Sequence, residues 1–364
     1  MYKRIFILFI MALGMGMTTL HAQQLSCETT AVFTATDSTD HYANGVVMTV
    51  FHDTLYCMWQ SSVQDEDSDD TRVVVSTSND EGLTWSRPIT LAHPTADYYC
   101  TSGGWTVAGD TLTAFIHIWQ KGVEPRQGTT SYCTTDGLHW SELQAVTMAD
   151  GSPMQGVIEQ DPLRLSDGRL VGAAHFSPGL HVCPIYTDQS NGHGGWHKAL
   201  FQATDIGKTT REIEPSQYLR KDGSIVMIFR DQNSSFRKLA SVSTDQGQSW
   251  SPPMLTDHLD ARTKQCAGNL PDGTAYMVSC PSGNKMRWPL VLQLSEDGFS
   301  WNRTILLRSE KELPPRRYEG RYKTLGYSYP KAFVWRNKLY IGYSVNKEDV
   351  ACTIVRISDT DGLR

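Results

Sequence analysis

The sequence repeats one pattern of polar and apolar positions, in which a short polar turn is followed by an alternating or continuously apolar stretch. The turn Asp222-Gly223, for example, precedes the stretch Ser224 to Arg230. Because Asp-Gly and related pairs favour tight hairpins, each copy predicts the turn and second strand of an antiparallel hairpin. The six turns are His52-Asp53, Gly109-Asp110, Asp167-Gly168, Asp222-Gly223, Asp272-Gly273 and Arg336-Asn337.

A second motif lies downstream of four of these strands. It reads Ser78-Asn79-Asp80-Glu81-Gly82-Leu83-Thr84-Trp85 and returns as Ser243 to Trp250, with shorter forms at 134–140 and 295–301. Its Asp can cap its own turn, its Gly is free to adopt positive φ, and its Trp can fold back over the hairpin. We interpret the motif as a rigid outer corner. It resembles the Asp-box of sialidase-type propellers.

The spacing of the repeats predicts the architecture. A period of about fifty to sixty residues suits a four-stranded antiparallel blade. Six such units fill the chain after its N-terminal segment. We therefore predict one all-β domain over residues 23–364, a six-bladed β-propeller with Asp-box turns on its outer rim. Residues Ser26 to Ala35 are predicted to supply a closing strand to the last blade, and a seven-bladed ring is the alternative.

Composition narrows the function classes. The chain has 364 residues, of which 40% are hydrophobic and 20% charged, so it can bury a large core without disulfide or metal cross-links. Its formal net charge is −6. Because no basic run follows a nucleic-acid backbone, we predict no nucleic-acid partner.

Residues 1–22 have the pattern of a secretory signal peptide. Lys3 and Arg4 precede the apolar stretch Ile5 to Met17, which is too short to span a membrane. No later segment has about 18 consecutive apolar residues. We expect a monomer without a transmembrane segment, secreted to the periplasm or the extracellular space. Leu25-Ser26-Cys27 loosely resembles a bacterial lipid-attachment site, which leaves a lipid tether at Cys27 as an alternative.

The eight cysteines, at positions 27, 57, 100, 133, 183, 266, 280 and 352, show no Cys-x-x-Cys spacing. Neither a zinc site nor a redox motif is therefore indicated, and we predict no metal and no cofactor. Several of these cysteines lie inside apolar strand patterns. We expect most of them to be small buried hydrophobic residues.

The axis of a propeller collects the residues that begin the innermost strands and end the next strands. The predicted inner-strand starts are His41, Ser102, Glu159, Glu214, Gln265 and Tyr327, and the second-strand ends are Gln60, Trp119 or Gln120, His175, Arg230, Ser282 and Ser344. Such polar groups are costly to desolvate unless they are paired or line a functional cavity. We predict a functional axial pocket, with a hub of satisfied ion pairs as the structural alternative.

Some of these positions resemble the catalytic residues of sialidases. Glu214-Pro215-Ser216 and the following Phe229-Arg230 are similar to the blade that supplies the glutamate partner of the nucleophile and one arginine of the carboxylate-binding triad. Gly326-Tyr327-Ser328 is similar to the nucleophilic tyrosine followed by serine. The resemblance implies that Tyr327 is the nucleophile and that its hydroxyl meets Glu214, with Arg230 close by.

The resemblance extends to two other elements. Arg287 lies where sialidases carry another triad arginine, so Arg230 and Arg287 should share one wall of the pocket. The loop Gln64-Asp65-Glu66-Asp67 lies where they carry the acid/base aspartate, which makes Asp65 and Asp67 candidates.

Physical chemistry supports these roles. A sugar whose reacting carbon bears a carboxylate would repel a carboxylate nucleophile, so a tyrosine activated by a glutamate is better suited. Arginines grip a carboxylate through two parallel hydrogen bonds. An acid in an acid-crowded loop can protonate the leaving oxygen because its neighbours raise its pKa. We therefore predict a secreted, retaining exo-glycosidase whose partner is a glycan with a terminal acidic sugar.

The sequence departs from the sialidase pattern at one point. Sialidases open their first inner strand with Arg-Ile-Pro, whereas the matching stretch here is His41-Tyr42-Ala43-Asn44-Gly45. We expect His41 or Arg321 to substitute for the missing arginine, and Gln60, Glu159 and His175 to line the same pocket. The departure leaves sialic acid, another keto-deoxy acid and a uronate-bearing terminus open as substrates.

Two other functions stay open. One is a uronate-recognising hydrolase or lyase that uses His41 or His175. The other is a non-catalytic glycan-binding propeller.

Overall fold

A computed structural model describes residues 23–24, 27–124, 126–137, 139–203 and 211–361. The predicted signal peptide lies outside the described residues. The described strands form six sheets of four or five strands, one per blade, and the six-bladed propeller is confirmed while the seven-bladed alternative is wrong.

The strands in chain order are β1 (Gln23–Gln24), β2 (Glu28–Phe33), β3 (Tyr42–Phe51), β4 (Thr54–Ser62), β5 (Arg72–Ser78), β6 (Ile89–Ala92), β7 (Tyr98–Ala108), β8 (Thr111–Gln120), β9 (Gly128–Thr135), β10 (Gln144–Ala145), β11 (Gly156–Ile158), β12 (Leu163–Arg164), β13 (Leu170–Phe176), β14 (His181–Thr187), β15 (His197–Lys198), β16 (Glu212–Leu219), β17 (Ile225–Asp231), β18 (Arg237–Ser243), β19 (Met254–Leu259), β20 (Cys266–Asn269), β21 (Ala275–Ser279), β22 (Leu290–Ser295), β23 (Arg303–Arg308), β24 (Tyr327–Trp335), β25 (Lys338–Val345) and β26 (Asp349–Arg356). A 3-10 turn (Glu310–Glu312) and a short helix α1 (Ile357–Asp361) complete the chain, and no described helix is long or apolar enough to cross a membrane.

Each blade is built from consecutive strands. Blades I to VI begin with β3, β7, β11, β16, β20 and β24. Apart from β1 and β2, which lie at the outer edges of blades V and VI, the strands of each blade follow one another in chain order from the axis outward. In blade III the inner strand is divided into β11 and β12, which both pair with β13. The first strands of blades IV, V, VI, I, II and III contact one another in this order around the axis, and between blades III and IV strand β16 contacts β13.

The ring closes through the N-terminal strand. Strand β2 pairs antiparallel with β26, so that Thr29 lies opposite Thr353 at the outer edge of blade VI. The hydroxyl of Thr30 donates to the carbonyl of Gly82 at 2.8 Å, and the indole N–H of Trp85 donates to that hydroxyl at 3.2 Å. The closing strand predicted within Ser26 to Ala35 is therefore confirmed, and it also anchors the first Asp-box.

The hydrophobic core lies between blades. Six clusters of buried side chains fill the six blade interfaces, for example Val47, Met58 and Trp105 between blades I and II. All eight cysteines are free thiols, six buried and two half-buried. The interpretation of most cysteines as buried hydrophobic residues is confirmed.

The Asp-boxes connect the third and fourth strands of their blades at the outer rim. In the first, Asp80 accepts the backbone N–H of Thr84 at 2.9 Å and the hydroxyl of Ser78 at 2.8 Å. These hydrogen bonds, chiefly those from Thr84, lower the pKa of Asp80 to about 2. Gly82 has a φ of 88° and its carbonyl accepts the indole N–H of Trp85. The motif is a structural corner, as predicted.

Blade III carries a related corner that sequence analysis missed. Between β14 and β15, the indole N–H of Trp196 donates to the carbonyl of Gly192 at 2.9 Å, as Trp250 does to Gly247 at 3.0 Å in blade IV. Trp196 is fully buried. The corner has no Asp-x-Gly and is longer than the other four, which hid it from a search by motif.

We predict that Trp196→Ala lowers the free energy of unfolding by about 3–5 kcal/mol, because a large buried side chain is lost and a cavity is left. Urea unfolding followed by tryptophan fluorescence and circular dichroism measures the change. The control is Leu83→Ala, which alters an exposed side chain of the first Asp-box and should shift stability by no more than about 0.5 kcal/mol. Equal losses in the two variants would contradict the assignment.

Candidate active site

A pocket of about 700 Å³ opens at the axis, and every blade contributes side chains to it. Of the eleven candidate catalytic and substrate-binding residues, seven line it: Gln60, Asp67, Glu159, His175, Glu214, Arg230 and Arg287. Ser102 and Trp119, which were predicted at the axis, also line it. His41, Asp65, Arg321 and Tyr327 do not. Residues that the sequence analysis did not select, including Glu66, Lys264, Tyr329 and Lys347, also face the pocket.

The inner strands reach the pocket through interruptions in their pairing. In β16, Ile213 pairs with Arg230 and Ser216 with Ile228, so Glu214 and Pro215 bulge out opposite one residue. In β24, Tyr329 and Pro330 bulge in the same way between Ser328 and Lys331. Glu214 and Tyr329 have φ values of 50° and 55°, a conformation that costs about 1–3 kcal/mol for a non-glycine residue. The bulge turns each side chain toward the axis.

These two bulged residues meet in the pocket. The hydroxyl of Tyr329 donates to Oε1 of Glu214 at 2.7 Å. Nη1 of Arg230 donates to both oxygens of Glu214, at 3.0 and 2.9 Å, and lies 3.3 Å from the Tyr329 hydroxyl. Burial acts to raise the pKa of Glu214, but the charges of Arg230 and Lys264 and the hydrogen bond from Tyr329 together lower that pKa. Glu214 is therefore a carboxylate that can accept a proton.

The pKa of Tyr329 is raised well above its usual value, first by burial and then by the negative charge of Glu214. The phenol is therefore protonated near neutral pH. Three further cations lie near its ring. The side-chain cations of Lys264, Arg287 and Lys347 are 5.7, 5.7 and 5.9 Å from the ring centroid. The phenol thus has a proton acceptor and a cationic surrounding.

The expected contact between Tyr327 and Glu214 is wrong. Tyr327 is buried between blades V and VI, where its hydroxyl donates to the carbonyl of Ser309 at 2.9 Å and its ring packs edge-on against Tyr343. The tyrosine that meets Glu214 is Tyr329, two residues later. The reason is the bulge, which lets Tyr329 and not Tyr327 point along the axis.

The backbone of Glu214 is fixed by hydrogen bonds with buried polar side chains. Its backbone N–H donates to Nε2 of His175 at 3.1 Å, and its carbonyl accepts Nε2 of Gln265 at 3.1 Å. Nδ1 of His175 lies 3.1 Å from the carboxylate of Glu159. Since Nε2 accepts a hydrogen bond, the proton of His175 is on Nδ1 and points to Glu159.

Gln265 is in turn fixed by a buried ion pair. Nζ of Lys238 donates to Asp260 at 2.6 Å, to Oε1 of Gln265 at 3.0 Å and to the carbonyl of Thr263 at 3.1 Å. Lys238 and Asp260 are almost completely inaccessible. This cluster fixes the segment 260–265 that leads into blade V.

The acidic side chains of the blade I loop point in two directions, some into the pocket and one away from it. Asp67 lines the pocket and pairs with Arg126 at 2.8 Å, whereas Asp65 accepts the backbone N–H of Arg321 at 2.6 Å outside the pocket. Between them, Glu66 lines the pocket and accepts a hydrogen bond from Nζ of Lys347. The expectation that Asp65 faces the pocket is therefore wrong, because the turn at Asp67, with a φ of 58°, separates the directions.

Neither residue expected to replace the missing arginine lies in the pocket. His41 stacks on Tyr318 with ring centroids 3.8 Å apart, and Arg321 is exposed, with its guanidinium over Tyr322. Lys347, in the turn between β25 and β26, lies there instead. Its carbonyl accepts the backbone N–H of Ala43 at 3.0 Å, so it sits beside the strand where the arginine would be. Lys347 is buried, and burial lowers its pKa despite the nearby Glu66.

Arg287 and Gln60 lie where the pocket was predicted. Nη1 of Arg287 donates to Oγ of Ser328 at 2.7 Å, next to the bulge that carries Tyr329. Arg230 and Arg287 both border Tyr329. That their side chains converge on a single anionic group stays a prediction. Nε2 of Gln60 donates to the hydroxyl of Tyr42 at 2.9 Å.

One signal in the sequence could have identified Tyr329. Glu214 and Tyr329 are both followed by proline near the start of an inner strand. Aligning the two X-Pro pairs, rather than matching a Tyr-Ser pair, would have placed Tyr329 in the position equivalent to Glu214. No comparable local signal marks Lys347 or Glu66, since their pairing joins residues 281 positions apart.

Comparison with known proteins agrees with the six-bladed fold. The sequence pattern of the BNR repeat-like domain matches residues 53–341, and the protein belongs to that family of sialidase-like, Asp-box propellers. No curated protein sequence matches the chain.

Three solved structures illustrate the likeness in fold. A protein of unknown function from Dyadobacter fermentans has 12% identity and a TM-score of 0.68, covering 90% of this chain and 98% of its own. A Hadza microbial sialidase has 14% identity and a TM-score of 0.71, with coverages of 91% and 68%. Trypanosoma rangeli sialidase in complex with sialic acid has 14% identity and a TM-score of 0.66; 94% of this chain spans 60% of that one.

We predict that Lys238→Met lowers the free energy of unfolding by about 3–5 kcal/mol, because Asp260 is left buried without a counter-charge. Chemical denaturation measures the loss. The double variant Lys238→Met/Asp260→Leu should regain most of it, since no isolated charge stays buried. A double variant as unstable as the single one would show that packing, not charge, determines the cost.

Proposed function

We propose that this protein is a retaining exo-glycosidase that removes a terminal acidic sugar from glycans. The observation that carries the proposal is the 2.7 Å hydrogen bond from Tyr329 to Glu214, beside Arg230 in the axial pocket. Residues 1–22 are proposed to direct export, so the substrates would be glycans outside the cytoplasm.

In the proposed first step, Oη of Tyr329 forms a bond to the anomeric carbon while its proton passes to Glu214. The bond from that carbon to the leaving oxygen breaks as an acid donates a proton to the oxygen. In the second step, the acid of the first step acts as a base and takes a proton from the water that attacks the anomeric carbon. Tyr329 then leaves and regains its proton from Glu214. A neutral nucleophile avoids repulsion by the carboxylate of the sugar.

Asp67 is the proposed acid and base. It lines the pocket from the acidic loop predicted from the sequence, whereas Asp65 does not. Its carboxyl group is paired with Arg126. The proposal therefore requires the anionic substrate to draw Arg126 away, so that the carboxyl group of Asp67 can reach the leaving oxygen.

Three cations are proposed to hold the carboxylate of the sugar. Arg230 and Arg287 supply planar guanidinium groups, and Lys347 replaces the arginine that the first inner strand lacks. All three lie within reach of the same phenol ring, which supports the proposal that the carboxylate is held next to the reacting carbon.

The histidine-based alternatives have less support. His175 already uses Nδ1 with Glu159 and Nε2 with the backbone of Glu214, so neither nitrogen is available as a base. His41 does not line the pocket. A purely glycan-binding propeller would need the same grip but no proton acceptor for Tyr329.

We predict that Tyr329→Phe lowers kcat about 10³-fold or more, because the nucleophile is removed, while binding of the acidic sugar persists through the arginines. Free-sugar release from glycans capped with sialic acid, another keto-deoxy acid or a uronate measures turnover. The matched control is Tyr327→Phe, which loses one hydrogen bond, worth about 1 kcal/mol of stability, outside the pocket. Full activity in Tyr329→Phe, or loss only in Tyr327→Phe, would refute the assignment.

We predict that Asp67→Asn lowers kcat/KM by about 10²–10⁴-fold on a natural glycan, since protonation of the leaving oxygen is lost. A nitrophenyl glycoside, whose leaving group needs no proton, should lose far less. Asp65→Asn, with its carboxylate outside the pocket, should behave like the wild type on both substrates. An equal loss on both substrates in Asp67→Asn would exclude the acid role.

A further inference from the structure

The axial pocket carries more positive charge than the binding of one substrate carboxylate requires. Among the residues that the structure describes, nine Lys and Arg side chains and four Asp and Glu side chains line it. The whole chain, by contrast, carries a formal charge of −6. Like charges crowded in a partly desolvated cavity repel one another, and a bound anion relieves that repulsion.

The four acids already have cationic or histidine partners. Glu214 pairs with Arg230 at 2.9 Å and Asp67 with Arg126 at 2.8 Å, and Glu66 contacts Lys347. Glu159 accepts from His175, and its backbone carbonyl accepts Nζ of Lys264. Another cation of the lining, Lys323, lies 3.6 Å from the buried Glu348, which is outside the pocket.

Five cations of the lining form no ion pair with a carboxylate within the described part of the chain, namely Arg211, Arg262, Lys264, Lys285 and Arg287. Nζ of Lys264 donates to the backbone carbonyl of Glu159. Arg211 donates to the carbonyl of Gly179 and Arg287 to Ser328. Arg262 and Lys285 therefore stand out, because their side chains have neither an ion pair nor a hydrogen bond among the described residues.

Arg262 shows two further signs of a binding residue. Its Nε is buried and has no hydrogen-bond partner in the described structure, an arrangement that costs free energy unless a ligand satisfies it. Its backbone has a φ of 53°, which is strained for a non-glycine residue. The Lys238 and Asp260 ion pair fixes the segment that holds it.

Lys285 adds a second cation to the same lining. It is exposed and lies two residues before Arg287, in the segment between β21 and β22 of blade V. Arg262 lies in the segment that connects blade IV to the first strand of blade V. Because Arg287 is assigned to the reacting sugar, Arg262 and Lys285 are the cations of this part of the lining that stay available for a second anion.

We propose that Arg262 and Lys285 form a second anion subsite, and that the substrate is a glycan with two acidic groups. The inference rests on the proposed function for the position of the first group, held by Arg230, Arg287 and Lys347. The second group is a carboxylate or a sulfate ester, since both present the oxygens that a guanidinium and an ammonium bind.

The test compares ligand pairs that differ by one negative charge. Calorimetry would measure the binding of sialic acid and α2,8-linked disialic acid, and of galacturonic acid and digalacturonic acid, to the full chain at low and high salt. A third pair, sialyllactose and its 6-sulfate, separates a sulfate ester from a second carboxylate. The variants are Arg262→Gln, and as control Lys221→Gln, which removes one positive charge at the hairpin turn between β16 and β17, outside the pocket.

In at least one pair, the doubly charged ligand should bind wild type about tenfold more tightly, the effect of one charge-assisted hydrogen bond. High salt should reduce this advantage. Arg262→Gln should remove most of it, and Lys221→Gln should keep it. Equal affinities within all three pairs, or an advantage that Arg262→Gln leaves intact, would overturn the proposal.

The experiment can refute the second subsite and the glycosidase function independently of each other. A protein that shows the charge advantage but releases no sugar would refute the glycosidase function and keep the second subsite. A protein that hydrolyses singly and doubly charged glycans equally, with equal affinities, would keep the function and refute the subsite.

Discussion

The pocket depends on the closure of the ring, because its side chains come from all six blades. Closure is achieved by β2, which completes blade VI by pairing with β26 and contacts the Asp-box of blade I through Thr30. The pair joins residues more than 300 positions apart, such as Thr29 and Thr353. A change that weakened this pairing would therefore alter the spacing between blades I and VI, which together supply Glu66 and Lys347.

Within the closed ring, strained inner strands direct the side chains of Glu214 and Tyr329 into the pocket. Regular β-pairing would direct side chains into the interfaces between blades, as it does for Tyr327. The bulges at Glu214 and Tyr329 give up regular pairing to reach the axis. Their cost is offset by a dense polar frame, in which His175 and Gln265 hold the backbone of Glu214 from two sides. Strain and support therefore occur at the same residues, as is common at functional sites.

The sequence was sufficient for the features that local patterns determine. The hairpin turns and four Asp-boxes depend on residues close in the chain, so six blades and their corners could be predicted. Glu214, Arg230 and Arg287 were identified because short motifs surround them. Tyr329 was missed because a bulge changes which residue faces the axis, and alternation along a strand does not reveal a bulge. Lys347 was missed because it meets Glu66 only after the ring closes.

The bulges of blades I, IV and VI occupy the same place in their sheets. Gly45 in blade I, with a φ of 65°, matches Glu214 and Tyr329 in its position opposite the second strand. A residue without a side chain, a carboxylate and a phenol thus occupy equivalent sites of a repeated unit. The backbone accepts all three, so each repeat can present a different chemical group to the axis at this position while the surrounding sheet keeps its fold.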